Sequence, residues 1–304
     1  MVVLGGGLFY GLRSAQRSTI ILDADAPVAF SVDGFNRVRS VRLENARAVS
    51  VVDPERVTGK KLDAAVADVT EQLIDGNVLS ADENAVLLSV QEDRDTRADA
   101  LMQKAGAALT AAAEKHEITP AVMMQTLSED AAPAAGTSLG KTALTGGSDA
   151  PGNAAVLDLV YYLSNQNAVP EDAQLQGTWS ENAFRTAAQA IQTASEDSGG
   201  TAQAAALTWK DTQLVYIVDV PVWNGTAVYT ISARTGEILS VVRPGEAAEP
   251  GPAVPTTPGQ QQVAPTPVTP PAEVPATPAP QQNVSPRDVY DFFEDFVDFW
   301  DDII

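Results

Sequence analysis

A proline-rich stretch limits where this chain can fold. Thirteen of its 20 prolines lie between Pro244 and Pro286, interspersed with Thr, Ala, Gln and Val. Such a segment cannot bury a hydrophobic core and favours extended polyproline II structure. The folded domains are therefore expected before it, and the sequence predicts a linker over residues 244–284. This linker is either an inert spacer or a functional stalk or proline-motif ligand.

The charge and the rare residue types exclude several classes of function. The 304 residues include no cysteine and one histidine, His116, with 19 Lys and Arg against 40 Asp and Glu. Thiolate zinc sites, cysteine nucleophiles, disulfides and histidine triads are therefore excluded. The formal net charge of −21 at pH 7 repels phosphate backbones, so nucleic acid is not an expected partner. We predict that the protein is not an enzyme and has no metal site and no cofactor.

The first 18 residues are predicted to be a membrane-proximal segment. The run MVVLGGGLFYGL carries no charge and is followed by Arg13 and Arg17. As a helix it rises about 18 Å, less than the roughly 30 Å hydrocarbon core of a bilayer. Three interpretations stay open: the outer end of a membrane helix that begins upstream of Met1, a weak membrane anchor, or a buried segment. The positive-inside rule opposes the first interpretation, because that interpretation places both arginines outside the cytoplasm and the rule favours them inside.

Residues 19–127 have the pattern of a compact α+β unit. Thr58 is placed to cap a helix whose apolar stripe begins at Leu62, and Gly76 is placed to end that helix. A second helix is predicted to begin near residue 95. Runs rich in β-branched residues cover residues 19–25, 28–34, 37–43, 85–90 and 121–127. The order β-β-β-α-β-α-β predicts one sheet with two helices on one face.

Several blocks of this region resemble the central, extracytoplasmic domain of RsgI-type anti-sigma factors. They are residues 23–45, 57–66, 82–90, 125–130 and 136–144, in the family's order and spacing. In the first block Asp23 meets a family Asp, and residues 35–38 read Phe-Asn-Arg-Val where the family has Phe-(Asp/Asn)-Arg-Val. The resemblance implies an RsgI-like extracytoplasmic domain over residues 19–145. Family members usually place a cytoplasmic sigma-binding domain before a single membrane helix, and no part of this sequence resembles that domain.

The same resemblance identifies a cleavage position at which this chain departs from the family. Family members have Asn-Pro near the first strand, where self-cleavage is thought to prepare the protein for signalling. This chain has Asp25 and Ala26 there, with Pro27 one step later. A carboxylate is a poor nucleophile for that reaction at neutral pH, because water stabilises its charged oxygens. We therefore predict that Asp25-Ala26 is an inactive cleavage position and that Asp25 is a turn or strand-edge residue.

Residues 150–243 are predicted to form a helical segment followed by a small α+β module. The sequence favours a helix over residues 153–165 and a capping box at residues 178–181 for a helix that ends near residue 196. Asn224-Gly225 indicates a hairpin between two of the four strands that follow. Residues 216–242 resemble a PepSY-type module, through Tyr229, Ile231 and the turn Thr235-Gly236-Glu237 before Ile238. That resemblance implies a binding or inhibitory module and no catalysis.

The last twenty residues, 285–304, are predicted to form an acidic amphipathic helix. Their apolar residues fall on one side of a helical wheel, and seven acids fill the other side. Such a helix after a flexible linker needs a groove to bind. The groove belongs either to this chain's own domains or to a separate partner; a membrane surface is a third alternative, opposed by the acids. The candidate partner-binding residues are Phe292, Phe293, Phe296, Phe299, Trp300 and Ile303.

Together these features predict an α+β protein with two small mixed α/β domains, a Pro/Thr-rich linker and a C-terminal helix. The leading hypothesis is the extracytoplasmic, non-catalytic sensory portion of an RsgI-like membrane-anchored anti-sigma regulator. Its expected location is the cell membrane, as a single-pass protein with most of the chain outside the cytoplasm. The expected partner is a protein, or a cell-wall component, and a sigma factor only through a domain that this chain lacks. The alternative is a surface-exposed PepSY-type binding or protease-modulating protein.

Overall fold

The computed structural model describes residues 17–245, which form part of one compact unit. The strands of these residues are β1 (Arg17–Asp23), β2 (Val28–Asp33), β3 (Val38–Leu43), β4 (Ala85–Gln91), β5 (Ala121–Leu127), β6 (Ala173–Gln176), β7 (Ala205–Lys210), β8 (Gln213–Val222), β9 (Gly225–Ser232) and β10 (Ile238–Val242). The helices are α1 (Ala46–Val51), α2 (Leu62–Asp75), α3 (Asp95–Glu114), α4 (Leu139–Thr145), α5 (Val156–Asn165) and α6 (Ala187–Ser198). The predicted α+β class is confirmed.

A six-stranded sheet organises the first part of the chain. Its strand order is β3-β2-β1-β4-β5-β6, in which β4 and β5 are parallel and the other neighbours are antiparallel. The parallel pair requires a crossover, which α3 supplies between β4 and β5. The sixth strand, β6, comes from residues after 150, so the sheet extends beyond the blocks that resemble the RsgI-type domain.

Helices α2 and α3 cover one face of this sheet. The apolar side chains of α2, among them Leu62, Val66 and Val69, are fully buried with Phe30 of β2 in one hydrophobic cluster. Leu101 and Leu109 of α3 belong to the same cluster. The apolar stripes of both helices repeat at helical spacing, and this is why both helices pack on the sheet. The prediction that two helices share one face of the sheet is therefore confirmed.

The opposite face of the sheet packs against α4 and α5. Eight consecutive residues of α5 are buried, so this helix is enclosed by the protein rather than lying on its surface. A second hydrophobic cluster joins Leu87 of β4 and Met123 of β5 to Leu159 of α5 and to Tyr216 of β8. The two halves of the described chain thus share one core. The division into separate domains near residue 150 stays a prediction.

A four-stranded antiparallel sheet, ordered β10-β9-β8-β7, ends the described chain, and α6 packs on it. The predicted hairpin joins β8 to β9. Val222 pairs with Gly225, so the two connecting residues are Trp223 and Asn224, and Gly225 begins the next strand at φ 145. The Asn-Gly pair therefore marks the end of the turn rather than its centre.

Two capping predictions are wrong. Thr58 does not cap α2: its hydroxyl donates to the Pro54 carbonyl, and the N-cap residue is Lys61, with no side-chain capping bond. The capping box lies not at residues 178–181 but at Thr186 and Gln189, which begin α6. A 3-10 turn occupies residues 181–183 instead. Thr58 is instead engaged with a nearby backbone carbonyl, and at α6 a capping box eight residues later takes the place of the predicted one.

Three predicted segments lie outside the described residues in whole or in large part. They are the N-terminal apolar segment at residues 1–18, the linker at 244–284 and the acidic aromatic helix at 285–304. Within residues 17–245 no helix is long and apolar enough to cross a bilayer.

Candidate functional site

The Asp25 position lies in a groove where four parts of the chain meet. The groove has a volume of about 1120 Å³, and residues from the β1–β2 turn, from residues 42–47, from the loop and first turn at the start of α4, and from the loop before α5 line it. Asp23 ends β1, Asp25 lies in the turn, Ser138 is the N-cap residue of α4 and Lys141 lies in its first turn. Side chains more than 110 positions apart in sequence therefore meet here.

Asp25 connects the β1–β2 turn to α4 and to α5. Its Oδ1 accepts a hydrogen bond from Lys141 Nζ at 2.7 Å and another from the Val156 backbone N–H at 2.9 Å. Val156 is the first residue of α5, and the N-cap residue Ala155 has no side chain that can cap. Asp25 therefore supplies from a distance the acceptor that an N-cap residue normally supplies locally.

The backbone of Asp25 adopts an uncommon conformation. Its φ is 66°, in the left-handed region that Asp and Asn tolerate better than other residues with a Cβ. The Asn45 side chain donates to the Asp25 carbonyl at 3.0 Å, and the Asp25 N–H donates to Asp23 Oδ1 at 2.8 Å. These bonds hold the turn and aim the carboxylate at α4 and α5. Asp25 is thus a turn residue, which agrees with the prediction that it lies in a turn or at a strand edge.

Lys141 is a mostly buried cation with two oxygen partners from different segments of the chain. Its side chain is 10% exposed, and Nζ donates to the Ala154 carbonyl at 2.8 Å as well as to Asp25. The carboxylate and the carbonyl oxygen compensate for the removal of the ammonium from water. Nζ is therefore fixed next to the Asp25 carboxyl group.

Asp23 is a buried acid beside this ion pair. Asp23 is 1% exposed, and its Oδ2 accepts a hydrogen bond from the Ser138 hydroxyl at 2.6 Å. Burial raises the pKa of Asp23 above its usual value; the Lys141 charge and the Ser138 hydrogen bond oppose that shift, and the Asp25 charge adds to it. The raised pKa means that Asp23 holds a proton to a higher pH than an ordinary carboxyl group.

A second polar cluster joins the two halves of the described chain. Arg234, in the turn between β9 and β10, donates through Nε to Asp158 Oδ1 at 2.5 Å and through its two terminal nitrogens to the Glu83 carboxylate at 2.9 and 3.2 Å. The guanidinium also lies 4.7 Å from the centre of the Phe184 ring. Burial raises the pKa of Asp158, although the Arg234 charge opposes the shift. Three distant segments are therefore connected by one side chain.

The structure locates some of the predicted site residues and leaves others undescribed. Asp25 lines the groove, and Ala26, the next residue, is fully buried; whether this position is inactive in cleavage stays a prediction. Among residues 17–245 no cluster of acidic or histidine side chains could hold a metal ion. The six candidate partner-binding residues lie outside the described part of the chain: Phe292, Phe293, Phe296, Phe299, Trp300 and Ile303.

Ser138 and Lys141 are not among the site residues predicted from the sequence. They belong to the block at residues 136–144 that resembles the RsgI-type family. Their spacing could have indicated that they lie together, because an N-cap Ser and a Lys three positions later are neighbours at the start of a helix. Nothing local in the sequence indicates that Asp25 lies beside them.

Comparison with known proteins supports one part of the resemblance. Residues 18–145 match the family model described as the anti-sigma factor RsgI-like central domain. The matched range contains Asp23, Asp25, Ser138 and Lys141, and so the whole ion-paired cluster apart from its contacts to residues 154 and 156. The chain has no significant match among curated proteins. Residues 18–145 are therefore similar to the central domain of RsgI-like anti-sigma factors.

Proposed function

We propose that this chain is the extracytoplasmic, non-catalytic sensory portion of an RsgI-like membrane-anchored anti-sigma regulator. The match of residues 18–145 to the RsgI-like central domain carries this proposal. The apolar segment at residues 1–18 would be the membrane-proximal part, and a sigma factor would bind a cytoplasmic domain of the kind that RsgI-type proteins place before their membrane helix. The linker at residues 244–284 would extend the end of the chain outward, toward a protein partner or a cell-wall component.

The site around Asp25 fits a role in holding the domain together. One carboxylate joins the β1–β2 turn to α4 and to the first turn of α5. Its Oδ1 accepts both contacts, one from the Lys141 ammonium and one from the Val156 N–H, so the carboxylate is occupied in joining these segments. The connection therefore fixes the end of the first strand against two helices that lie more than 110 positions later in the sequence.

The membrane location is tested by protease accessibility in intact cells of the organism that encodes the chain. An epitope tag is placed at the C-terminus of the native protein, and a cytoplasmic protein serves as the control. We expect added protease to remove the tag without permeabilisation while the control stays intact. A tag that is protected until the membrane is opened would contradict the proposed orientation.

The inactive cleavage position is tested on the purified full chain. After days at neutral pH, mass spectrometry should show no fragments that end at Asp25 or begin at Ala26. The matched variant Asp25→Asn restores the family's residue in the same backbone and keeps an acceptor for Val156 N–H. Fragments from the wild-type chain would contradict the proposal, whatever the variant does.

We propose that the acidic aromatic segment at residues 285–304 is a ligand whose apolar residues bind a protein surface. Burial of each large side chain contributes roughly 1.5–3 kcal/mol. Replacing Phe292, Phe296 and Trp300 by Ala should therefore speed hydrogen exchange of the segment's amides, while Asp291→Asn with Asp298→Asn on the acidic side should not. Equal exchange in all three proteins would contradict docking onto this chain, and a labelled peptide of residues 285–304 would then be tested against purified partners.

A second candidate function is a PepSY-type binding or protease-modulating protein. One observation favours it: α6 packs on a four-stranded antiparallel sheet whose last two strands join through Thr235-Gly236-Glu237. Gly236 has φ 76° in this turn, which explains the glycine. The test is inhibition of secreted proteases from the same organism by the purified chain. Unchanged kcat/KM values for every protease would contradict this candidate.

A further inference from the structure

We infer that Lys141 and Asp25 form an intramolecular isopeptide bond, an amide between Nζ and the Asp25 carboxyl carbon. The nitrogen lies 2.7 Å from Oδ1 of Asp25, on a side chain that is 10% exposed. The bond would close a loop from residue 25 to residue 141, which is nearly the whole segment that matches the RsgI-like domain. This inference goes beyond the proposed function and does not depend on it.

The contacts of the pair bring the reacting groups together and hold them. The Ala154 carbonyl accepts from Nζ at 2.8 Å and therefore keeps the amine at the end of the Asp25 side chain. The Asp25 backbone is held by the Asn45 side chain and by Asp23, so its carboxyl group cannot turn away freely. Fixing a nucleophile against its electrophile in this way replaces a bimolecular encounter by a unimolecular step.

Two neighbouring groups can assist the reaction. The Val156 N–H donates to Oδ1 at 2.9 Å, where negative charge develops when an amine attacks the carboxyl carbon. Asp23 borders the same groove and interacts electrostatically with both Lys141 and Asp25. Burial raises the pKa of its carboxyl group, which makes Asp23 a source of a proton within the same groove.

The reaction balances without an oxidant or a co-reactant. Proton transfer within the ion pair gives a neutral amine and a neutral carboxylic acid. The nitrogen lone pair of Lys141 then forms the C–N bond to Asp25 Cγ, and one C–O bond of the carboxyl group breaks. The departing oxygen takes two protons and leaves as water, so ammonium and carboxylate become one amide and one water molecule. The chain acts once on itself and is not an enzyme in this step.

The intact mass of the purified, denatured full chain tests the inference. We expect the wild-type mass to lie below the mass calculated from the sequence by one water molecule. Tryptic digestion should leave the chain uncut after Lys141 and release a branched peptide that contains both Lys141 and Asp25. Lys141→Arg, which keeps the positive charge but cannot form this bond, should have its full calculated mass and no branched peptide.

A cyclic imide at Asp25-Ala26 also loses one water molecule, so the design must separate the two products. The imide would persist in Lys141→Arg, would react with hydroxylamine and would give a linear peptide. A wild-type chain at its full calculated mass, or one whose missing water is assigned to the imide, overturns the inference. Because the wild-type mass, its branched or linear tryptic peptide and its reaction with hydroxylamine decide the question together, a variant that folds poorly does not remove the test.

Discussion

Replacing Arg234 by Ala should destabilise the folded chain by about 2–5 kcal/mol. The largest part comes from the Asp158 hydrogen bond, because a hydrogen bond to a charged group contributes about 1.5–3 kcal/mol. Both side chains are mostly buried, at 23% and 12% exposed. The Glu83 carboxylate is 51% exposed, so its ion pair adds only about 0–1 kcal/mol. The contact with the Phe184 ring adds about 0.5–1 kcal/mol.

The pH dependence of this loss follows from the pKa of Asp158. Burial already raises that pKa, and removal of the Arg234 charge removes the main opposing effect. A raised folded-state pKa favours the protonated form, so stability from this group is present at low pH and is lost as pH rises through the folded-state pKa. The deficit of Arg234→Ala should therefore shrink as pH falls from 7 toward 4.

Urea unfolding at several pH values measures both quantities. Glu83→Gln is the matched control, because it removes only the exposed partner and should cost less than about 1 kcal/mol. Asp158→Asn and the double variant complete a cycle, whose coupling energy should exceed about 1 kcal/mol. A coupling energy near zero, or a deficit that grows as pH falls, would refute the reasoning.

Two further predictions concern turns of the six-stranded sheet. Asp33→Asn should cost about 1–2 kcal/mol at pH 7, because the carboxylate accepts the N–H groups of Phe35 and Arg37 and pairs with a guanidinium. Burial alone would raise the pKa of Asp33, but these partners lower it below its usual value of 3.8. The stability that this group contributes is therefore present above the unfolded-state pKa and is lost as pH falls through the folded-state pKa. The difference in unfolding free energy between the wild-type chain and Asp33→Asn should accordingly vanish as pH falls below 3.8. Gly177→Ala should lower the free energy of unfolding several times more than Gly136→Ala. The two glycines have similar φ values, 78° and 77°, but only at Gly177 would the new Cβ lie 2.2 Å from a backbone oxygen. Equal melting temperatures of these two variants would contradict this.

The elements with strong periodicity could be predicted from the sequence. Leu62, Val66 and Val69 repeat at helical spacing, and the structure buries all three against the sheet. The run at residues 85–90 is apolar except for Ser89 and is buried throughout, because β4 lies between two layers of helices and is covered on both faces. These features depend on local spacing and on burial, which a single sequence records.

The candidate site could be predicted only in part, because its contacts are remote. The sequence indicates a turn at Asp25 but not that its carboxylate caps α5, 131 positions away. Thr58 has capping chemistry of its own, yet its hydroxyl bonds backward to Pro54 and the helix begins four residues later. Tertiary packing decides such alternatives, and local patterns do not record it.

The most direct test of the central claim is transcription in the organism that encodes this chain. The gene is deleted, transcripts are sequenced, and the intact gene is returned at a second locus as the control. The account predicts that genes served by one class of promoter rise together after deletion and fall again on complementation, because an anti-sigma regulator restrains one sigma factor. Transcripts that do not change as a promoter class, or a change that the returned gene does not reverse, would contradict it.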